Sequence, residues 1–318
     1  MYRHIPVMIE EAMQYLDPKP GEVIVDCTLG GGGYTFEIAK RVGSEGKVIA
    51  IDLDENAINH AKLKIAREGI SNVIVSHANF KELQRVIESE LGDAPLARIS
   101  GLVFDLGLSS AQLEDRSRGF SFQEDAPLSM AFGSLIPADQ TESIVNVLSA
   151  PEISAILRDY GEERYAKQIA ASIVQRRKGK AITTTKELVE AISAAVPGVY
   201  KRQRIHFATR TFQALRIATN DELGNLKQLL DSLKSLLAPG ARIVAISFHS
   251  LEDRIVKHFF RQEAKDCLCP PDVPVCVCGH KAWLQILTKK AILPGPDEIL
   301  INPRSRSAKL RAAQVITN

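Results

Sequence analysis

Four consecutive glycines, residues 30–33, follow a short apolar run that ends in Asp26. The residues before them, 22–26, have a strand pattern, and residues 35–42 after them have a helical pattern. Glycine permits positive φ angles and lets a ligand approach the backbone closely. Because the first turn of a helix also offers free N–H groups, this stretch predicts a pocket for a small molecule at the end of the first strand.

Apolar strands alternate with helices over the first third of the chain, which predicts a parallel sheet covered on both faces. Right-handed crossovers then produce a doubly wound fold, in which ligands bind at the carboxyl ends of the strands. The predicted strands are residues 22–26, 48–52, 72–76 and 99–105, and the helices between them are 35–42, 54–68 and 81–91. Polar side chains stand at the strand ends: Asp26, Asp52, Asn79 and Asp105.

The alternation stops after residue 110, and residues 139–237 have a helical pattern without a convincing strand. A strand pattern resumes at residues 241–247, and residues 284–288 and 308–316 predict a closing antiparallel pair. We therefore predict an α/β domain from residues 1–112 and 217–318, interrupted by an inserted helical domain at residues 113–216.

The charge is distributed unevenly, although the 318 residues carry a formal net charge of only +2. Residues 1–110 contain 11 Lys and Arg against 16 Asp and Glu, whereas residues 158–216 contain 13 against 5. This asymmetry favours a cofactor-binding part beside a part that faces a polyanion. A solvated helical face would explain the basic segment equally well.

Residues 1–6 lack the pattern of a signal peptide, and no apolar run is long enough for a bilayer, so we predict a cytoplasmic protein. Cytoplasmic thiols are not disulfides by default. Four thiols with CxC…CxC spacing admit either a zinc site or a loop of reduced cysteines: Cys267, Cys269, Cys276 and Cys278. The pattern slightly favours reduced cysteines, so no metal is predicted.

The glycine spacing distinguishes between cofactors. A dinucleotide fingerprint needs a third glycine or alanine where this chain has Thr35 or Phe36. The pattern Asp26-x-Thr28-x-Gly30-x-Gly32 instead resembles the signature of class I S-adenosylmethionine (SAM) methyltransferases. A carboxylate at Asp52 suits the ribose hydroxyls, and Phe80 offers an apolar face for adenine. Taken singly, Phe80 suits a core position and Asp105 suits a helix cap. The prediction of a SAM site therefore rests on these residues and the glycines together.

A closer resemblance covers nearly the whole chain. Its motifs are His4-Ile5-Pro6-Val7-Met8, Asp105-Leu106-Gly107-Leu108-Ser109-Ser110-x-Gln112-Leu113, Arg118-Gly119-Phe120-Ser121-Phe122, Tyr160-Gly161-Glu162-Glu163-Arg164, Ala208-Thr209-Arg210-Thr211-Phe212-Gln213-Ala214-Leu215-Arg216-Ile217, Ser247-Phe248-His249-Ser250-Leu251-Glu252-Asp253-Arg254 and Asn302-Pro303-Arg304-Ser305-Arg306-Ser307-Ala308. In this order they resemble the bacterial RsmH (MraW) family, whose members methylate the exocyclic N4 of a cytidine in 16S ribosomal RNA, near the decoding P site.

The resemblance implies a class I methyltransferase fold and a set of SAM contacts: Gly32, Gly33, Tyr34, Asp52, Phe80, Asp105 and Gln112. Two departures from the family pattern stand out. Tyr34 replaces a histidine, so only a backbone role carries over, and residues 129–132 replace a run of acid and arginine.

The chemistry that the resemblance implies needs an acceptor for the hydrogens of a poorly nucleophilic cytosine amine, held in line with the methyl group. Asp105 and the backbone carbonyls of its loop, residues 105–110, are the candidates for this role. His249, after the fifth strand, is a candidate proton acceptor, although a hydrogen-bonding organiser is the favoured interpretation. No metal or covalent nucleophile is required, and a stacked target base would have to be turned out.

Basic side chains are the candidates for contacts with RNA phosphates: Arg164, Lys167, Arg210, Arg216, Arg304 and Arg306. Pairing with acids inside the protein is an equal alternative for Arg210 and Arg216. Phe120, Phe122 and Phe212 could stack on bases, but a core position is favoured for each. Two rival functions stay open: methylation of a protein or small molecule, and a non-catalytic role in ribosome assembly.

Overall fold

The computed structural model describes residues 6–92, 99–270 and 275–316. The chain divides into two compact units: unit 1, Met1–Gly107 with Gly224–Asn318, and unit 2, Leu108–Leu223. The predicted domain boundaries, at residues 112/113 and 216/217, stay a prediction. The predictions for the N-terminal residues 1–5, including His4 and Ile5, lie outside the described residues.

Unit 1 contains a seven-stranded sheet with the order β3-β2-β1-β4-β5-β7-β6. The strands are β1 (Val23–Asp26), β2 (Lys47–Asp52), β3 (Val73–His77), β4 (Ile99–Asp105), β5 (Leu237–Ser247), β6 (Leu284–Ile286) and β7 (Lys309–Val315). Strands β1 to β5 are parallel, and β7 runs antiparallel to both β5 and β6. The predicted fold class, a mostly parallel sheet with a C-terminal antiparallel pair, is confirmed.

Helices cover both faces of this sheet, because successive strand residues point to opposite sides. The helices of unit 1 are α1 (Ile9–Leu16), α2 (Gly33–Val42), α3 (Glu55–Glu68), α4 (Leu83–Leu91), α13 (Ser250–Glu263) and α14 (Pro296–Ile301), with most of α12 (Glu222–Leu236). On one face Val25 joins a buried cluster with α4, α12 and α13, whereas Ile24 joins another cluster with α1 and α2. Burial on both faces explains why the strands are apolar throughout.

Unit 2 is helical and has a core of its own. Its helices are α5 (Ser110–Glu114), α6 (Gln140–Val147), α7 (Ala150–Gly161), α8 (Ala166–Arg177), α9 (Thr185–Ala195), α10 (Gly198–Lys201) and α11 (Thr209–Asn220). Two of them begin with capping boxes, at Ser149 for α7 and at Thr184 for α9. The inserted segment is thus helical, as predicted.

The segment 129–132, which departs from the family pattern, is packed into unit 2. The Met130 side chain is 1% exposed in the core. The Asn220 side chain ties the segment down: its amide donates to the Met130 carbonyl, and its carbonyl oxygen accepts the Phe132 N–H, both at 2.8 Å. These residues therefore serve the fold of unit 2.

Among the described residues, no helix has the length and apolar character needed to cross a bilayer.

Candidate active site

The order of strands in unit 1 creates a crevice where the direction of winding reverses, between β1 and β4. In sheets of this kind the ligand binds at that reversal, outside the carboxyl ends of the strands. Asp26 lies opposite Val103 in the register of β1 and β4, so Asp105 ends β4 just beyond it. Asp52 ends the next strand, and lies opposite His77 of β3. The predicted strand-end acids thus share one edge of the sheet.

Two hydrogen bonds hold the Asp52 carboxylate at the end of β2. Gly30, in the glycine loop, donates its N–H to Oδ2 at 2.7 Å, and Asp54 donates its N–H to Oδ1 at 2.8 Å. Burial raises the pKa of Asp52 to about 6, although the two hydrogen bonds act in the opposite direction and lower it. Each oxygen keeps a second lone pair, so the carboxylate is oriented and still able to accept ribose hydroxyls.

Asp26 has a structural position within the loop. Its side chain is fully buried, and accepts the Thr35 hydroxyl at 2.6 Å and the Thr28 N–H at 3.1 Å. Burial raises the pKa of Asp26 to about 6. These bonds fix the loop between β1 and α2.

Thr28 extends this network to β4. Its hydroxyl accepts the Asp105 N–H at 2.7 Å, so the glycine loop and the end of β4 hold each other in place.

Asp105, the third strand-end acid, has a carboxylate oxygen that accepts no hydrogen bond from the described residues. Its Oδ1 atom is buried and has no hydrogen-bond partner among the described residues. Burial raises the pKa of Asp105 well above its ordinary value, and the nearby Asp26 carboxylate adds to the shift. A buried acceptor without a partner is costly unless a ligand supplies a donor or a positive charge. This atom therefore fits a site for a cationic ligand with donor groups.

The two glycines predicted to contact the cofactor also have packing roles. Gly32 has φ 77°, and a Cβ there would overlap the Phe36 ring. Gly33 begins α2, and a Cβ there would overlap the Pro6 ring. The missing side chains therefore let Phe36 and Pro6 close around the loop, while the loop backbone stays available for a ligand.

The Tyr34 side chain packs against the N-terminal segment. Its ring is buried, and its hydroxyl donates a short hydrogen bond to the Val7 carbonyl. Only the backbone of Tyr34 is thus available to a cofactor, so the histidine of the family pattern is replaced here by a residue that ties the N-terminal segment to α2.

Phe80 follows the third strand, as predicted, and opens a short 3-10 helix over Phe80–Glu82. Asn79 caps this turn by accepting the Lys81 N–H at 3.1 Å. The Phe80 ring is partly buried against the core of unit 1. Its predicted contact with adenine stays a prediction.

His249 is the N-cap of α13. Its Nδ1 accepts the Glu252 N–H at 3.5 Å, and Glu252 returns the bond by accepting the His249 N–H at 3.3 Å. This reciprocal capping box is the organising role that the sequence favours for His249. Its role as a proton acceptor stays a prediction.

Glu298 is an acid that the sequence pattern did not single out. It lies in α14, and its Oε1 accepts the Met8 N–H at 2.7 Å across most of the length of the chain. Its charge is among those that raise the pKa of Asp105. No local pattern marks Glu298, because its position depends on a contact between the two ends of the chain.

Gln112 belongs to unit 2, where it completes a capping box. Its Oε1 accepts the Ser109 N–H at 3.0 Å, and its own N–H donates to the Ser109 hydroxyl at 3.2 Å. The predicted contact of Gln112 with the cofactor stays a prediction.

The basic residues predicted to contact RNA differ in exposure and in their partners within the protein. Arg164, Lys167, Arg304 and Arg306 are exposed. Arg210 donates to the Glu162 carbonyl at 2.9 Å. Arg216 forms a two-pronged ion pair with Glu222 at 2.8 and 2.9 Å. Of its two predicted roles, RNA contact and pairing with an internal acid, the structure therefore shows the pairing.

The predicted aromatic stackers lie largely inside unit 2. Phe120 and Phe212 are 7% and 4% exposed, which confirms the core position favoured for them. Phe122 is partly buried and stacks on the His206 ring at a centroid distance of 4.6 Å.

A doubly wound sheet closed by an antiparallel strand between β5 and β6, with acids at the ends of β1, β2 and β4, defines a class I methyltransferase that takes its methyl group from SAM. Residues 1–316 match the model of the MraW methylase family, and the chain belongs to this family. The predicted fold, cofactor and family are confirmed.

The chain is similar to proteins named ribosomal RNA small subunit methyltransferase H. The one from Heliobacterium mobile is 45% identical over 317 residues, which covers 99% of each chain. The one from Geobacter sulfurreducens is 47% identical over 313 residues, which covers 98% of this chain and 99% of the relative. The alignment with the solved structure of an rRNA methylase from Streptococcus thermophilus covers 100% of this chain and 99% of the methylase chain. The two are 12% identical and their TM-score is 0.39.

Proposed function

We propose that this protein transfers a methyl group from SAM to the exocyclic N4 of a cytidine in 16S ribosomal RNA, near the decoding P site. The observation that carries the proposal is the buried Oδ1 of Asp105 at the reversal of the sheet, in a chain that belongs to the MraW methylase family. The names of its relatives support a ribosomal RNA substrate. We further infer that the protein works in the cytoplasm, where its substrate is made.

The cofactor, when bound, supplies an electrophilic methyl group on a sulfonium. Asp52 accepts the ribose hydroxyls, since the N–H groups of Gly30 and Asp54 already orient its carboxylate. Phe80 covers the adenine with the accessible part of its ring. The backbone of residues 32–34 borders the methionine part, and Gln112 completes the set.

Asp105 has two tasks in this proposal. Its charge balances the sulfonium, because a positive ligand offsets the cost of a buried carboxylate. Its free Oδ1 accepts a hydrogen from the N4 amine, which turns the nitrogen lone pair toward the methyl group. The amine proton that leaves after transfer passes to Asp105 or to solvent. His249 holds the start of α13 behind this site.

The basic residues of unit 2 provide the sequence-independent part of RNA binding. Arg164, just before α8, and Lys167, in its first turn, are exposed. Arg164 also lies over the rings of Tyr165 and Tyr200, at 5.4 and 5.8 Å. An arginine held over aromatic rings is presented with little loss of side-chain entropy. Arg304 and Arg306 provide further exposed charge in unit 1.

The proposal is tested with small ribosomal subunits from a strain that lacks this protein. Purified protein and labelled SAM should methylate these subunits once, and nucleoside mass spectrometry should identify N4-methylcytidine in the 16S RNA. Subunits from the parent strain should accept no label, and Asp105→Ala should be inactive.

Two results would favour the rival functions. Label found only in protein or in metabolites would support the first rival. If Asp105→Ala loses SAM binding while 16S RNA stays fully methylated in the cell, the protein is an assembly factor.

A further inference from the structure

The loop between α13 and β6 brings four thiols together. The Sγ atom of Cys267 lies 3.3 Å from that of Cys276 and 3.8 Å from that of Cys278, and the last two are 3.6 Å apart. With Cys269, all four Sγ atoms lie within 4.8 Å of one another. The sequence favoured separate reduced cysteines, but the fold gathers them into one cluster.

These separations match a metal site. Four sulfurs bound to one zinc ion at about 2.3 Å form a tetrahedron with edges of about 3.8 Å. A disulfide would need two sulfurs at about 2.05 Å, whereas all five cysteines are free. Tetrahedral sites with four sulfurs suit zinc or iron.

The loop has two CxC arms, residues 267–269 and residues 276–278, and the backbone N–H groups of each arm donate to sulfurs of the other. The middle residue of the first arm, Leu268, donates its N–H to Cys278 of the second at 3.4 Å. The middle residue of the second arm, Val277, donates its N–H to Cys269 of the first at 3.4 Å. Such N–H groups stabilise thiolate charge, which is the support that metal-bound sulfur receives from its surroundings. This crosswise pattern explains how CxC spacing can replace the commoner CxxC.

The described part of the loop has little else to hold it. At its base, Trp283 donates its backbone N–H to the Glu263 carbonyl at 3.0 Å, and this pair is locked by one side-chain bond, from the Trp283 ring N–H to the Glu263 carboxylate at 2.6 Å. Beyond these bonds, Val275 and Val277 are 71% and 81% exposed, and none of the described residues of 264–282 joins a buried apolar cluster. A segment without a core needs a cross-link to adopt one shape.

We propose that Cys267, Cys269, Cys276 and Cys278 bind one structural zinc ion that closes this loop. Four thiolates complete the tetrahedron and leave no open position for water, so the ion has no part in methyl transfer. The Nε2 atom of the neighbouring His280 faces Glu263 at 3.9 Å and is not needed as a ligand.

The test measures zinc in the full-length protein purified without chelators. Mass spectrometry of metals should find close to one zinc per chain, and mercurial modification of the thiols should release it. The double substitution Cys276→Ser/Cys278→Ser should lose the zinc. Cys27→Ala is the matched control, because Cys27 is buried at the end of β1, outside the loop, and its removal should leave the zinc content unchanged.

A second measurement separates loss of zinc from loss of fold. A strong chelator should accelerate tryptic cleavage at Lys265 and Lys281 of the wild-type loop, while the circular dichroism of the helices is preserved. The absence of zinc from protein expressed with a zinc supply would overturn the proposal. So would iron in its place, equal zinc in the double variant, or an intact mass lower by two hydrogens for each pair of cysteines.

Discussion

The Asp52 carboxylate at the end of β2 accepts the N–H of Gly30, 2.7 Å away in the loop that follows β1. This bond joins the acid that we propose for the ribose to the loop that we propose for the rest of the cofactor. The geometry of the site is therefore set by backbone groups before any ligand arrives.

We predict that Asp52→Ala lowers SAM affinity at least tenfold, because the variant loses the ribose acceptor and frees the Gly30 loop. Two partly buried N–H groups also lose their acceptor, so the free energy of unfolding falls by about 1–3 kcal/mol. Isothermal titration with SAM and urea unfolding measure the two effects. Glu45→Ala, which removes an exposed acid, is the control and should change neither. Unchanged SAM affinity in Asp52→Ala would contradict the assignment.

Burial of carboxyl groups at the strand ends predicts an unusual dependence of stability on pH. Folding raises the pKa of Asp26 and Asp52 to about 6, and that of Asp105 well above its ordinary value. The folded state therefore favours the protonated forms. The stability that Asp26 and Asp52 contribute is present below the unfolded pKa of about 4 and is lost as the pH rises through about 6. The contribution of Asp105 is lost in the same direction, as the pH rises through its own raised pKa.

We therefore predict that Asp105→Asn makes the ligand-free protein more stable at pH 7.5, by on the order of 1–3 kcal/mol, and that this gain shrinks toward pH 5. The same variant should lose SAM binding and activity, because a neutral amide cannot balance the sulfonium. Urea unfolding at several pH values measures the effect, with Glu45→Gln as an exposed control. A variant that is less stable than the wild type at pH 7.5 would refute the argument.

Gly32 is predicted to tolerate no side chain. Gly32→Ala places a Cβ at φ 77° and into the Phe36 ring. Gly69→Ala is the matched control, since Gly69 has φ 64° at the end of α3 with open space around it. We expect about 1 kcal/mol of destabilisation for the control and about 1–3 kcal/mol more for Gly32→Ala. Equal effects in thermal unfolding would show that Phe36 moves aside.

The internal pairing of Arg216 predicts a loss of stability. Arg216→Ala removes the two-pronged ion pair from the nearly buried Glu222 carboxylate, and should cost about 3 kcal/mol or more. Arg158→Ala is the matched control, because Arg158 pairs with Asp159 on the surface and its loss should cost less than about 1 kcal/mol. Equal losses of unfolding free energy for the two variants in urea would show that the Arg216 pair is worth no more than a surface pair.

The exposed basic residues predict the opposite behaviour. Lys167→Ala and Arg304→Ala should leave stability unchanged but weaken RNA binding. Each should also reduce the slope of log K against log salt by about 0.7–0.9. Binding of a fragment of 16S RNA at several salt concentrations measures this slope. Lys62→Ala, exposed on α3, is the control, and the same loss of slope in it would show that the effect is general charge.

The sheet could be predicted from the sequence because its information is local. Each strand from β1 to β4 is an apolar run bounded by turn residues, and the structure keeps these strands within a residue or so of their predicted bounds. The start of α1, at Ile9, is less clearly marked in the sequence. Apolar periodicity does not mark the start of a helix when its N-cap, here Met8, lacks a capping side chain.

What the sequence could not provide was contact between distant segments. Pro6 against Gly33, Met8 against Glu298 and Arg216 against Glu222 all depend on packing that no local pattern records. The four cysteines show the same limit, because spacing admitted two readings and only the folded arrangement brings the thiols together.

The insertion of unit 2 between β4 and β5 also sets an order of assembly. Unit 2 is continuous in sequence, so a chain emerging from the ribosome can complete it before unit 1. During that time β4 carries an open edge, because its partner β5 begins only at Leu237. The last quarter of the chain then closes the sheet. A chaperone that shields the edge of β4 would therefore act while unit 2 is already folded and the methyl-donor site is still unfinished.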